Sequence, residues 1–269
     1  MSRSEDTFVR RSYFGGATDV YKGYGENLHY YDVNSLYPYA MLKPMPLKLL
    51  KIHVNMTGID LENFFGFIEC EVHAPDSIKV PILTLKHMGK PIFPLGAWRA
   101  TYFSEEIKAS IKLGYKFNFL KGYEYSKYNL FEGYIKHFYN IKKNSVGAER
   151  FIAKMHLNQL YGYFGRKLEL LETINIDIKD LHLYVTTRII KTMIEIDDKT
   201  LSLLVYSNMS EEIISEINEC LSIKIKNDSY SFVKSNVGIA LAVTSYARIH
   251  MIPFKVDNDV YYSDTDSVF

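Results

Sequence analysis

The heptapeptide Asp32-Val33-Asn34-Ser35-Leu36-Tyr37-Pro38 separates two kinds of local structure. Before it, residues 28–33 (Leu-His-Tyr-Tyr-Asp-Val) carry the aromatic and β-branched content of a strand, and they predict a buried one with Asp32 near its end. After it, residues 36–41 read as a turn into a short helix, stopped by the prolines at 44 and 46. A lone carboxylate at such a junction is compatible with simple capping. Its meaning depends on which other acids the fold brings to it.

The other acids stand at the far end of the chain, in Val260-Tyr261-Tyr262-Ser263-Asp264-Thr265-Asp266-Ser267-Val268-Phe269. Apolar residues bracket a small acidic turn, so a hairpin is expected around Asp264. Aspartates two apart in an extended chain project to one side, which predicts that Asp264 and Asp266 face a common ion. Such a pair repels itself unless a cation lies between. Phosphoryl transfer supplies one, since two Mg²⁺ ions roughly 3.5–4 Å apart lower the pKa of an attacking hydroxyl and neutralise a leaving pyrophosphate. Mg²⁺ takes oxygen ligands and keeps positions for water and phosphates, so a few carboxylates suffice. An isolated Asp-x-Asp is more often a solvated turn. The residues around it must decide.

Bulk properties set only outer limits. The chain has 269 residues, 47% hydrophobic and 23% charged, enough for a folded core. Its formal net charge of +1 does not announce nucleic acid, so a basic groove would have to come from local clusters such as Lys142-Lys143, Arg150 with Lys154, and Arg166-Lys167. Cys70 and Cys220 lie too far apart for a zinc motif or a disulfide framework, which fits a reducing compartment. No apolar run approaches the length of a membrane helix, and the start Met-Ser-Arg-Ser-Glu-Asp lacks a secretory or transit pattern, so no membrane partner is expected. The 22 tyrosines against one tryptophan, with many Ile, Lys and Asn, are what AT-rich codons give.

Between the acidic ends, residues 13–25 are glycine-rich and read as a connector. Residues 64–73 read as a strand. Ser104-Glu105-Glu106-Ile107 predicts a capped helix closed by Gly114. Residues 130–142 and 148–163 predict a helical hairpin broken near Gly147. Strands and a helix over 211–221 are expected within 168–235, then a helix over 237–251.

On the paired helix, Lys154, Asn158 and Tyr161 are spaced four and three apart and share one face, with Gly162 beside them. That face suits a nucleotide: Lys154 as a point charge for phosphates, Tyr161 against a base pair, Gly162 for close backbone approach.

These segments together resemble family B DNA polymerases. Tyr262-Ser263-Asp264-Thr265-Asp266-Ser267 is similar to their motif C, residues 32–38 to motif A (D-x-x-S-L-Y-P), and Lys154-x-x-x-Asn158-x-x-Tyr161-Gly162 to motif B. Gln159 stands where many relatives have Ser. Tyr13-Phe14-Gly15-Gly16 resembles the YxGG motif, and Thr244-Ser245-Tyr246-Ala247-Arg248 the TxxAR motif.

The resemblance implies an α+β fold: a polymerase palm with an antiparallel sheet plus a fingers helical hairpin. It implies a two-Mg²⁺ centre on Asp32, Asp264 and Asp266, with the Val33 carbonyl as a further oxygen. It implies nucleotide contacts from Ser35, Leu36, Tyr37, Lys142, Lys154, Asn158, Tyr161 and Gly162, Tyr37 excluding a 2′-OH. DNA contacts fall to Tyr13, Gly15, Gly16, Thr244 and Arg248, with Arg248 expected to clamp a phosphate.

The string from Ser12 to Met41 resembles the protein-primed polymerases of linear mitochondrial plasmids. That branch implies primer-template DNA, dNTPs and a terminal protein as partners, and a mitochondrial, plasmid-encoded origin. The expected organisation is a connector (1–28), palm with an insertion (29–125), fingers (126–167), a second insertion (168–235) and returning palm (236–269). No exonuclease acids precede Tyr13 and no thumb follows Phe269, so the chain reads as a fragment. A non-catalytic remnant that only binds DNA or a terminal protein is the rival. An RNA-templated enzyme is disfavoured by Ser35-Leu36-Tyr37-Pro38.

Overall fold

Residues 1–166, 171–206 and 235–269 are described in the computed structural model, and they fall into two units. Met1, Arg3–Arg166 and Lys234–Phe269 form the first, Ser2 and Lys167–Val233 the second.

The first unit is built on two antiparallel four-stranded sheets. One joins β1 (Thr18–Val20), β12 (Tyr262–Asp264), β13 (Ser267–Val268) and β2 (Tyr31–Asp32), in that order. The other has the order β3 (Met45–His53), β8 (Lys116–Tyr128), β4 (Gly66–Ala74), β7 (Gly96–Phe103). A small hairpin, β5 (Leu85–His87) with β6 (Lys90–Ile92), completes the strands of this unit among the described residues.

The helices are α1 (Arg3–Arg10), α2 (Leu36–Met41), α3 (Ser104–Ile111), the paired α4 (Glu132–Asn144) and α5 (Gly147–Gly165), and α7 (Val237–Val256). The Asn236 side chain starts α7 by accepting from the Gly238 N–H at 3.1 Å. Most of α7 is apolar and buried, so it cores the unit, packing with Leu36, Met41, Phe67, Phe103 and Leu157. Each such side chain contributes about 1.5–3 kcal/mol. By length and composition α7 is apolar enough to cross a membrane, which corrects the expectation that no run approaches that length; 67% of its apolar window is buried inside this protein. A second core lies on the larger sheet, where Ile68, Cys70 and Val72 of β4 alternate inward against Tyr102 and Ile107.

Three local expectations are corrected. Residues 28–33 are not a buried strand: β2 is two residues long, sits at the sheet edge with β13 on one side, and leaves Tyr30 and Tyr31 exposed. The connector contains β1. Ser104 does not cap α3; its Oγ accepts from the Gly66 N–H at 3.1 Å, tying the helix to β4.

In the second unit, β10 (Ile190–Glu195), β11 (Thr200–Tyr206) and β9 (Leu171–Asp177) form an antiparallel sheet in that order. A helical turn at Ile178–Asp180 leads into α6 (Leu181–Thr187). Ile176, Leu201, Leu203 and Val205 make its core. The helix expected over 211–221, and Cys220, lie outside the described residues.

Candidate active site

The smaller sheet brings the sequence-distant carboxylates together. Ser267 of β13 pairs with Asp32 of β2 and with Asp264 of β12, and the Val33 N–H donates to the Asp266 carbonyl at 2.8 Å. Asp32 and Asp266 are thus neighbours where β2 meets the β12–β13 turn. Burial pushes the Asp266 carboxyl above the usual carboxylate range, and the charge of Asp32 and then of Asp264 pushes it the same way.

Asp264 and Asp266 do not lie along one extended strand, as the sequence suggested. Asp264 ends β12, and Thr265 turns left-handed at φ 54° before Asp266. A β-branched residue there is strained. It is held by its neighbours: the Thr265 N–H donates to the Ala17 carbonyl at 3.0 Å, and its side chain lies on Gly16, where a Cβ would stand 2.4 Å from Oγ1. Asp264 Oδ1 accepts from Thr18 Oγ1 at 2.9 Å and Thr265 Oγ1 at 3.0 Å. Asp264 is thus tied to hydroxyls, whereas Asp32 and Asp266 share one locality.

Among the described residues, no three His, Cys, Asp or Glu side chains gather closely enough to enclose one metal ion. The donor set still fits Mg²⁺, which is commonly held by one or two carboxylates with substrate phosphates and water completing its shell. Asp32 and Asp266 would hold it, with the Val33 carbonyl as a further oxygen.

Helices α4 and α5 approach the same region. Lys142 Nζ donates to Ser35 Oγ at 2.6 Å, and Ser35 is itself left-handed at φ 63°. The Tyr37 ring stacks on Tyr161 at 4.5 Å with 18° between planes, and burial pushes the Tyr37 phenol well above its ordinary value. Burial, then the charges of Arg150 and Lys154, hold the Lys142 ammonium below its usual value. Three cations therefore crowd one place, a condition that an anion relieves. The sequence marks Arg150 only as part of a basic cluster with Lys154, one helical turn away on the same face, and not as a nucleotide contact. Lys154, Asn158 and Gly162 are exposed on α5, while Leu36 is fully buried and can offer a ligand only its backbone.

The residues expected to touch DNA divide differently. Gly15 is exposed, Gly16 packs on Thr265, and half-buried Tyr13 places its hydroxyl against Gly165 at the end of α5. Thr244 is buried and donates to the Leu241 carbonyl at 3.0 Å. Arg248 is also buried: Nε and Nη2 grip Glu106 at 2.7 and 3.0 Å, Nη2 also reaches Ser245 Oγ at 2.9 Å, and Nη1 reaches the carbonyls of Phe14 and Gly15 at 3.0 and 2.7 Å. All five guanidinium donors are used inside the protein. This corrects the expectation of a phosphate clamp: Arg248 pins residues 14–15 to α7, and those residues lead directly to the Gly16–Thr265 contact.

Over residues 1–259 the chain matches the family described as DNA polymerase type B, organellar and viral. It belongs to that family. A probable DNA polymerase of Podospora anserina is 36% identical, with 100% of this chain and 23% of that protein covered. Those of Neurospora intermedia and Agaricus bitorquis are 34% and 31% identical, with 97% of this chain and 27% and 35% of the relatives covered. This type B polymerase chain therefore spans about a quarter to a third of the length of those relatives. Phi29 DNA polymerase in an orthorhombic crystal form shares its fold, with TM-score 0.65 at 18% identity, covering 100% of this chain and 43% of the other. The same enzyme complexed with primer-template DNA and incoming nucleotide substrates gives 0.63. The α+β architecture with antiparallel sheets is thus that of part of a type B polymerase.

Proposed function

We propose that this chain carries the nucleotidyl-transfer centre of a DNA-directed DNA polymerase, adding dNTPs to a primer 3′-OH on a DNA template. The observation that carries the reading is the register placing Asp32 beside Asp266, with Lys142 hydrogen-bonded to Ser35 next door. Two Mg²⁺ ions, when bound, would lower the pKa of the attacking hydroxyl and neutralise the leaving pyrophosphate. The rest falls to the chain itself. Asp32 and Asp266 present oxygens to the cations, and Asp264, tied to Thr18 and Thr265, keeps the turn in shape. Lys142, Arg150 and Lys154 receive the triphosphate. Tyr37, stacked on Tyr161, closes the floor under the sugar and leaves no room for a 2′-OH. Tyr13, Gly15 and Gly16 line the approach of template DNA, and Arg248 with Thr244 acts behind them.

In this reading residues 29–125 and 236–269 are palm and 126–167 are fingers. The family's organellar and viral membership supports an organelle-encoded origin. The likeness of Ser12–Met41 to plasmid polymerases supports a protein-primed role on a linear, plasmid-like DNA, with a terminal protein supplying the first hydroxyl. Primer extension tests the centre. Asp266→Asn is expected to abolish dNTP incorporation, with DNA retention on a gel nearly unchanged. Full incorporation by the variant, or DNA retention without extension by the parent chain, would refute it.

A further inference from the structure

Tyr30 is absent from every motif considered above, yet its hydroxyl lies 3.3 Å from Asp32 Oδ2. Tyr30 immediately precedes β2, and the short separation from Asp32 lets its hydroxyl fold onto that carboxylate. The phenol is not free to drift. Its ring packs on Phe269 at 4.8 Å, and Phe269 packs on Tyr262 at 5.9 Å. Phe269 is fastened by backbone bonds, its N–H donating to the Tyr262 carbonyl at 2.9 Å and its carbonyl accepting from the Tyr261 N–H at 2.7 Å. The ring therefore bridges the strand that carries Asp32 and the hairpin that carries Asp264 and Asp266.

The other Asp32 oxygen, Oδ1, has no hydrogen-bond partner among the described residues. An O–H donor on one carboxylate oxygen restrains the rotation of the group and leaves the second oxygen open to a cation. We infer that Tyr30 is a positioning residue for Asp32, orienting its carboxylate toward the place where a divalent metal ion would bind. The inference rests on the metal-binding reading of Asp32. Partners of this kind set ligand orientation, and their removal typically costs about 10–100-fold in metal affinity.

Binding of Mn²⁺ alone to the 269-residue chain, followed by loss of the free-ion paramagnetic resonance signal, tests this without requiring turnover. Tyr30→Phe removes only the hydroxyl and keeps the ring on Phe269. It is expected to weaken Mn²⁺ binding about tenfold or more, with an unchanged thermal unfolding midpoint. Asp32→Asn, measured alongside, is expected to weaken binding at least as much. If Tyr30→Phe binds like the parent while Asp32→Asn does not, the positioning role is overturned and the metal reading stands. If Asp32→Asn also binds like the parent, both fall. A lowered midpoint in Tyr30→Phe accompanying its weaker binding would make the hydroxyl a structural support, and would equally overturn the inference.

Discussion

Arg248 and Glu106 form a pair whose side chains are only 5% and 4% exposed, so neither charge has water to fall back on. Removing one partner strands the other, which costs about 3–5 kcal/mol. Arg248→Ala and Glu106→Ala should each lower stability by that order in denaturant unfolding, and the double change should cost less than the sum. Lys255 presents the opposite case. It is 6% exposed near the end of α7, and burial brings its ammonium from the ordinary 10.5 to about 8, against the favourable charge of Asp19 and with the unfavourable charge of Arg248. Below about 8 the folded and unfolded chains both hold the proton, and the buried charge is a cost. Between about 8 and the unfolded value only the unfolded chain holds it, so this residue's contribution to stability rises with pH across that window. Lys255→Met should therefore be more stable than the parent at neutral pH, with the gap closing as pH climbs past about 8, as measured by thermal unfolding. At this scale the sequence was informative where a residue's chemistry is local. Lys154, Asn158 and Tyr161 share a helix face by spacing alone. It was misleading for Arg248, because an arginine's free and fully engaged states look alike until Glu106 and the carbonyls of residues 14–15 are placed around it.

The α4–α5 hairpin illustrates what an element adds. Lys142 ends up on Ser35 because α4 delivers it there, and Arg150 and Lys154 converge on it because α5 returns along the same side. A charge-assisted bond to phosphate is worth about 1.5–3 kcal/mol. Lys142→Ala should thus weaken apparent dNTP affinity about tenfold or more in a nucleotide titration of primer extension, with DNA retention little changed. Helices of this length were legible because their periodicity repeats over several turns. The strand at residues 28–33 was misread for a physical reason: aromatic residues that normally signal burial here lie on an edge, where Tyr30 and Tyr31 stay exposed and pack locally. The turn at Thr265 was equally hidden, since a threonine gives no warning of a positive φ and depends on Gly16 being bare.

For the molecule as a whole, the α+β architecture could be read from sequence, because motif-bearing segments are dense from Tyr13 to the final hairpin. The second unit, Lys167–Val233, occupies the stretch that the spacing between motifs sets apart as a second insertion (168–235), although composition does not change sharply at its border. The smaller sheet of the first unit has one more consequence. Its strands come from residues 18–32 and 262–268, with more than two hundred residues between. The larger sheet is assembled from residues 45–128 and has no such wait. On a ribosome, then, the scaffold can form early while β1 and β2 remain without partners. Asp32 meets Asp266 only when the β12–β13 hairpin has emerged. Closing so long a loop is slow but adds little further free-energy cost with length. Until that moment the nascent chain leaves its acids too far apart to repel one another, and the crowding that marks the site arises only once residues 262–268 have been made.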